Sequence, residues 1–563
     1  MPSQASLKAL KATAEQRTED LVKQVYEGSK KDKPLCPKCG GVVKRSGSSA
    51  RGILRYSHGW RASTKHNGEL LCNWNGTHPI NVEIDHSAGV DKEKSKELAK
   101  RLRDSDCKRV VITAAQNATS INQAFFKTLL NYCKVNNAQL IVIPYRYKNP
   151  TSLWSKSARN DDWWAYDLEP YIMQERVELN PNLVLLADIK TQPTAASPLG
   201  GFETITQDMS GIIGHPKLEL TCVPTPQSKM AKILTTTGAI TVKNYIPSKA
   251  GKKGEYYHTF GACVVELDGR SFHMRQLIAT RLGSFCDLNK EYDGDTVKTV
   301  RIEGLVMGDT HQEFIDEQVA KATFEGPDSI VSVLKPKVLV WHDVHDFYSR
   351  NHHHRGKLFT NYVKYHTGHD NIRTALEGTF AFVDRVTPAD TVNIFVPSNH
   401  PDALTRWVEE TDPRSDLENL VFWCESAKAM AEAAHWTPSG ASTPDAFNYW
   451  AKKLMRTASR TRFPGRNEAV MICGVDVNHH GDNGPNGSRG TIRAFTKIGV
   501  KATIAHGHSP GIKDDIHQVG TNSRKDLKYL AGPSSWMHCD DLIYKNGKRS
   551  LLFIINGEWR LKE

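Results

Sequence analysis

Residues 301–311 read RIEGLVMGDTH, an apolar run that stops at Asp309 and His311. The same grammar recurs downstream. KVLVW (337–341) is followed by His342, Asp343, His345 and Asp346, and TVNIFVPS (391–398) by Asn399 and His400. AVMICGVDV (469–477) leads to His479 and His480, and VKATIA (500–505) to His506 and His508. Short Val- and Ile-rich runs bounded by polar residues read as buried strands. In an open α/β sheet the residues just beyond the strand ends converge on one crevice. Five stretches far apart in the chain are therefore expected to share one site. Cys473, inside the fourth run, reads as a core strand residue rather than a ligand.

The residue types indicate the chemistry. Carboxylate and amide oxygens with imidazole nitrogens suit manganese, iron, zinc or magnesium, and one Asp can bridge two ions; manganese is the metal expected first. Two divalent ions roughly 4 Å apart can neutralise the charge that develops on a phosphoryl group during hydrolysis. One such cluster is weak evidence, because a buried His after a strand is more often hydrogen-bonded core; the recurrence carries the weight. No GxxxxGK[ST] loop is present, which excludes an evident NTP-driven motor.

Upstream of residue 301 the pattern changes. Val110 to Thr113, Leu140 to Pro144 and Leu183 to Ala187 are apolar runs, with a helical stretch around Ile121 to Cys133 between the first two. They are expected to form an α/β unit with a parallel sheet. Residues 200–300 carry Thr/Val-rich, Gly-punctuated segments more typical of antiparallel structure. A mixed α/β domain is thus expected over 85–300, positioning substrate or building a homo-oligomer. Residues 1–30 read as an amphipathic helix. Over 31–84, Cys36-Pro-Lys-Cys39 with Cys72 and either His78 or His58 reads as a zinc ribbon holding a structural Zn²⁺.

Eleven cysteines in 563 residues are too sparse and too odd in number for a disulfide framework. Runs such as Val338 to Trp341 fall far short of the roughly 20 apolar residues a membrane-spanning helix needs, and the amino terminus lacks the apolar core of a secretion signal. A cytoplasmic protein is expected, in host cytoplasm if the chain is viral. Seventy-four Lys and Arg against 62 Asp and Glu leave a net charge of +12, which favours an acidic partner such as DNA. Arg460, Arg462 and Arg466 in RTASRTRFPGR, and Arg489 in the Gly-rich turn 481–490, are the expected backbone contacts. The run His352, His353, His354 and Arg355 is a second basic feature.

In motif order, residues 301 to about 515 resemble the calcineurin-like metallophosphoesterase superfamily, which includes the Mre11/SbcD nucleases. Its series of DxH, GDxxD, GNH with a following acid, an isolated His and GHxH is matched by Asp309-Thr310-His311, His342-Asp343-Val344-His345-Asp346, Ser398-Asn399-His400-Pro401-Asp402, His479-His480 and Ala505-His506-Gly507-His508. The chain departs from it at His342, Ser398 and Ala505, where the motifs carry Gly, and the acid after His400 comes one residue late. The resemblance implies a β-sandwich flanked by helices over 301–563. It further implies that Asp309, His311 and His508 hold one metal and Asn399, His480 and His506 the other, with Asp343 bridging. His400, with Asp346 and Asp402, would serve catalysis beside the scissile phosphate. Spacing does not separate His479 from His480, and His480 is favoured because it precedes the Gly-rich turn. The long amino-terminal half resembles that of early host-DNA-degrading phosphoesterases of large tailed bacteriophages. The expected function is therefore a metal-dependent DNase. A nucleotide phosphomonoesterase or cyclic phosphodiesterase, and a DNA-binding scaffold with a vestigial esterase site, are the alternatives.

Overall fold

The apolar runs before the acid and imidazole residues are strands, and their side chains alternate between two cores. The computed structural model describes residues 91–104, 107–147, 163–435, 445–526 and 532–562, together with five short strands between 34 and 81. Val306, Val340 and Ile394 meet Ile472, Val475, Val477 and Ala505 in one apolar cluster. Their sequence neighbours Leu305, Leu339 and Phe395 face the opposite way, into a cluster with Phe380, Leu404, Phe422 and Trp450. A side-chain period of two gives each strand two buried faces. That is why these runs are continuously apolar rather than alternating with polar residues.

The first cluster lies between two sheets. The six-stranded sheet has the order Thr461–Arg462, Val392–Phe395, Val338–Trp341, Gly304–Val306, Cys539–Ile543 and Arg549–Phe553. Its first four strands are parallel and the last two antiparallel. Helices Ile372–Val386, Asn399–Glu410, Leu420–His435 and Ala446–Leu454 supply the cluster on its other face. The second sheet is ten-stranded and contains Val475–Asp476, Ala502–Ile504, Ile516–Gln518 and Gly511–Lys513, continuing into Glu219–Val223, Lys232–Thr236, Ser210–Ile213, Leu183–Leu186 and Arg176–Asn180.

Two expectations need correction. Residue 300 does not separate two cores: Glu219–Val223 pairs with Gly511–Lys513, and Lys513 Nζ donates to Glu219 Oε1 at 2.8 Å across that seam. Leu220 and Ile233 share a buried cluster with Ile512, Leu551 and Phe553. Nor do the three upstream runs form one sheet. Arg109–Gln116 and Gln139–Tyr145 lie in a four-stranded sheet with the antiparallel hairpin Gly261–Asp268/Ser271–Ile278, whereas Leu183–Leu186 belongs to the ten-stranded sheet. The helix between the first two runs is Gln123–Val135, capped by Asn122, whose side chain accepts from the Phe125 amide.

By contacts the chain forms two units, one of Met1–Lys92, Gln116–Ile121 and Tyr147–Pro170 and one holding the remainder. In the first, Pro34–Leu35 pairs antiparallel with Ile80–Asn81, and Lys44–Ser48, Leu54–Ser57 and Asn75–Gly76 form a three-stranded sheet. The expected helix over 1–30 and the ribbon ligands Cys36, Cys39, Cys72, His58 and His78 lie outside the described residues. Among the described residues no helix is long and apolar enough to cross a membrane.

Candidate metal centre

Parallel neighbours place their carboxyl ends at one edge. Gly304–Val306, Val338–Trp341 and Val392–Phe395 are adjacent and parallel, so the loops carrying Asp309 and His311, Asp343 and Asp346, and Asn399 and His400 leave the sheet together. On the facing sheet Val475–Asp476 runs parallel to Ala502–Ile504, which brings His480 beside His506 and His508. Backbone hydrogen bonds lock the loops: the His311 amide donates to the Asp343 carbonyl at 2.7 Å, and the Ala505 amide to the His480 carbonyl at 2.6 Å.

The turns are tight. His311, Asp343, His506 and His508 all have positive φ, between 39° and 66°. A side chain in this left-handed region costs of order 1–3 kcal/mol, and such residues cluster where function requires them. Asp343 and His506 immediately follow His342 and Ala505, so the turning conformation sits on the expected ligands themselves.

The side chains converge. His508 Nε2 stands 2.8 Å from Asp309 Oδ2 and 3.4 Å from His311 Nε2. Asp343 Oδ2 lies 3.1 Å from His480 Nε2 and 3.9 Å from both His311 Nε2 and His400 Nε2. Three overlapping groups result: Asp309, His311 and His508; His311, Asp343 and His400; and Asp343, His480 and His506. Within each group the ligand atoms lie within 4.8 Å of one another. Asp343 and His311 each belong to two of them.

The donor set fits a metal. Oδ1 of Asp309, Asp343 and Asn399, and Nδ1 of His480 and His508, are buried without a hydrogen-bond partner. Buried acceptors of this kind are normally satisfied, and divalent cations satisfy oxygen and imidazole donors together. Burial opposes ionisation of Asp309 and Asp343, but the surrounding imidazoles together outweigh it, His480 and His508 at Asp309 and His480, His400 and His311 at Asp343, and hold both carboxyls below their usual range.

Around this cluster lies a supporting layer. His400 Nδ1 donates to the Asp346 carbonyl at 2.7 Å, and Asp346 Oδ1 stands 3.2 Å from the same nitrogen and 3.1 Å from His311 Nδ1. Burial works against a charged His400, but Asp343 and Asp346 outweigh it and push its pKa up to about 10. Glu313 accepts from the Asp346 amide at 2.8 Å and is pushed up to about 8 by burial and by Asp346. Sequence reading missed Glu313, although it follows Asp309 by four residues. It also took His342 only as a departure from a motif. The ring is wholly buried, 5.6 Å from that of His480, and burial pushes its pKa down to about 3, which keeps it neutral.

Other expected residues fall elsewhere. His480 reaches the cluster, whereas His479 pairs with Asp476 at 3.4 Å and packs on Phe495. Asp402 does not join the cluster; it accepts from Arg466 at 2.6 Å. Arg466 also forks onto Asp482, tying helix Asn399–Glu410 to the turn after His480. Arg460 Nη1 donates to the carbonyls of Pro388, Ala389 and Thr391, each at 2.8 Å. Arg462 pairs with Glu468, and Arg489 is exposed. Cys473 is exposed, with φ of 48°, in the turn between Met471–Ile472 and Val475–Asp476; it is not a core strand residue.

No family model matches the chain, and no solved structure matches it. Over 469 residues it is 33% identical to Protein A1 of Escherichia phage T5, an alignment covering 80% of this chain and 83% of that protein. At that identity and coverage, the chain belongs to the family of phage T5 Protein A1.

Proposed function

We propose that the chain is a metal-dependent phosphodiesterase that cleaves DNA, built on a metallophosphoesterase-like double sheet. The observation that carries this reading is the convergence of Asp309, His311, Asp343, His480, His506 and His508 at strand ends, with acceptors buried and unpartnered among them. Two divalent ions are the proposed cofactors, manganese before magnesium, iron or zinc. Asp309, His311 and His508 would hold one, Asn399, His480 and His506 the other, with Asp343 shared. Bound metal would supply Lewis acidity, neutralising phosphate charge and making water a better nucleophile.

The chain's own residues supply the rest. His400, held protonated by Asp343 and Asp346, is placed to stabilise a phosphate oxygen or to give its Nε2 proton to the leaving oxygen. Asp346 orients both His400 and His311 through its carboxylate. The net charge of +12 supports a polyanionic substrate, and membership of a phage protein family is compatible with degradation of host DNA.

Digestion of circular and end-labelled linear DNA with Mn²⁺, Mg²⁺ or chelator tests the reading. Asp343→Asn is expected to lose both metal and cleavage, and His400→Ala to keep metal while turnover collapses. Turnover of 5′-nucleotides with DNA left intact would favour the phosphomonoesterase alternative and overturn this one.

A further inference from the structure

The residues that follow His400 and Asp346 in sequence build a second cavity. Helix Asn399–Glu410 contributes Arg406 and Trp407, and the segment after Asp346 contributes Ser349, Arg350 and His354. Helix Leu358–Thr367 closes it with Lys364. The cavity encloses about 520 Å³.

Its polar groups are oddly unpartnered. Lys364 is 1% exposed, yet its ammonium has no hydrogen-bond acceptor; it lies 4.5 Å from the ring of Tyr348 and feels the charges of Asp346 and Glu313 only at longer range. Ser349 Oγ and His354 Nδ1 are likewise buried without a partner. The acids at the wall are largely engaged already. Asp416 is forked by Arg350 at 2.6 and 2.7 Å, and Glu410 lies 3.5 Å from Arg355, leaving Asp370 as the remaining acid. Arg406 is exposed at the rim, with no ion pair among the described residues.

A buried ammonium and a buried hydroxyl on side chains that line an open cavity, with a second cation at the rim, form a set of donors waiting for a multivalent acceptor. We propose that this cavity is a phosphate-binding site distinct from the acid–imidazole cluster, with Lys364, Ser349 and Arg406 as its donors. The phosphate comes either from a nucleic-acid backbone or from free phosphate or a nucleotide. Tyr365 lines the cavity, and Phe359 and Tyr362 are exposed on the same helix, an arrangement on which unstacked bases can lie.

The test uses the full chain in EDTA, which removes any metal through which the acid–imidazole cluster would hold phosphate, with inorganic phosphate titrated calorimetrically. Lys364→Met is expected to weaken binding about tenfold or more, and exposed Arg406→Ala several-fold, with unchanged thermal unfolding of the second variant certifying the fold. Competition by an oligonucleotide lacking terminal phosphates supports the site and identifies a backbone source. Competition by a 5′-mononucleotide alone supports it with a free-phosphate source. Phosphate binding that is absent at millimolar concentration, or equal in wild type and both variants, overturns the proposal.

Discussion

At the scale of single residues, the centre is organised by Asp346 as much as by any expected ligand. Its carboxylate faces both His311 and His400, and its carbonyl accepts from His400 Nδ1. A partner of this kind fixes an imidazole's orientation and tautomer, and losing one typically costs 10–100-fold in metal affinity or activity. Asp346→Asn keeps the size and removes the charge. It is expected to cut turnover by that factor while retaining His400 in place through the carbonyl; steady-state cleavage rates alongside metal content would check this, and wild-type turnover would refute it. The residues that converge were legible because carboxylate, amide and imidazole after an apolar run form a local signal. Glu313 and His342 were not, because their roles arise from burial: a Glu matters here only once desolvation and Asp346 have raised its pKa to about 8.

Among secondary-structure elements, two of the arginines expected to contact DNA, Arg460 and Arg466, tie elements together. Arg466 clamps Asp402 on helix Asn399–Glu410 to Asp482 just after His480. Arg466→Ala should therefore lower metal-dependent activity about tenfold yet leave the salt dependence of DNA binding unchanged. A salt slope reduced by about one would instead mark a lost phosphate contact. The turn it holds has little room to adjust, since a Cβ on Gly490 would fall 1.8 Å from the Gly481 carbonyl oxygen. A second clamp joins the hairpin Gly261–Asp268/Ser271–Ile278 to strand Phe285–Asp287: buried Arg275 binds Glu266 at 3.0 Å and Asp287 at 2.7 Å. Burial opposes ionisation of Glu266, but Arg275 outweighs it and pushes the pKa from 4.5 down to about 2. A depressed carboxylate pKa stabilises the fold above its unfolded value, here by roughly 3 kcal/mol, and that contribution is lost as pH falls from about 4.5 to 2. Glu266→Gln is expected to be destabilised by about 3 kcal/mol near neutrality, because buried Arg275 then keeps only Asp287 of its two carboxylate partners. Its stability curve should also be flatter through the acid window, as denaturant titrations at stepped pH would reveal.

For the molecule as a whole, what sequence reading could not find was the partnership across residue 300. Strand identity is local, whereas the pairing of Glu219–Val223 with Gly511–Lys513 joins side chains 294 positions apart, and neither run advertises its partner. The consequence is physical: the strands that carry His480, His506 and His508 belong to a sheet half built from residues 176–236. Ile512, Leu551, Phe553 and Ile555 are buried in a cluster that also contains Leu185, Leu220, Ile233 and Phe272. Cutting the chain at 300 would strip these faces and leave Gly511–Lys513 as an unpaired edge, the kind of surface that templates aggregation. A fragment of 301–563, although it contains every expected metal ligand, is thus expected to be insoluble or to unfold without cooperativity, and to retain no stoichiometric metal. Circular dichroism melts and metal analysis on the fragment and the full chain would measure this. A soluble fragment that unfolds cooperatively and keeps wild-type metal content would show that the carboxyl-terminal half carries its own core, and the ten-stranded sheet would then be an accessory to the centre rather than its frame.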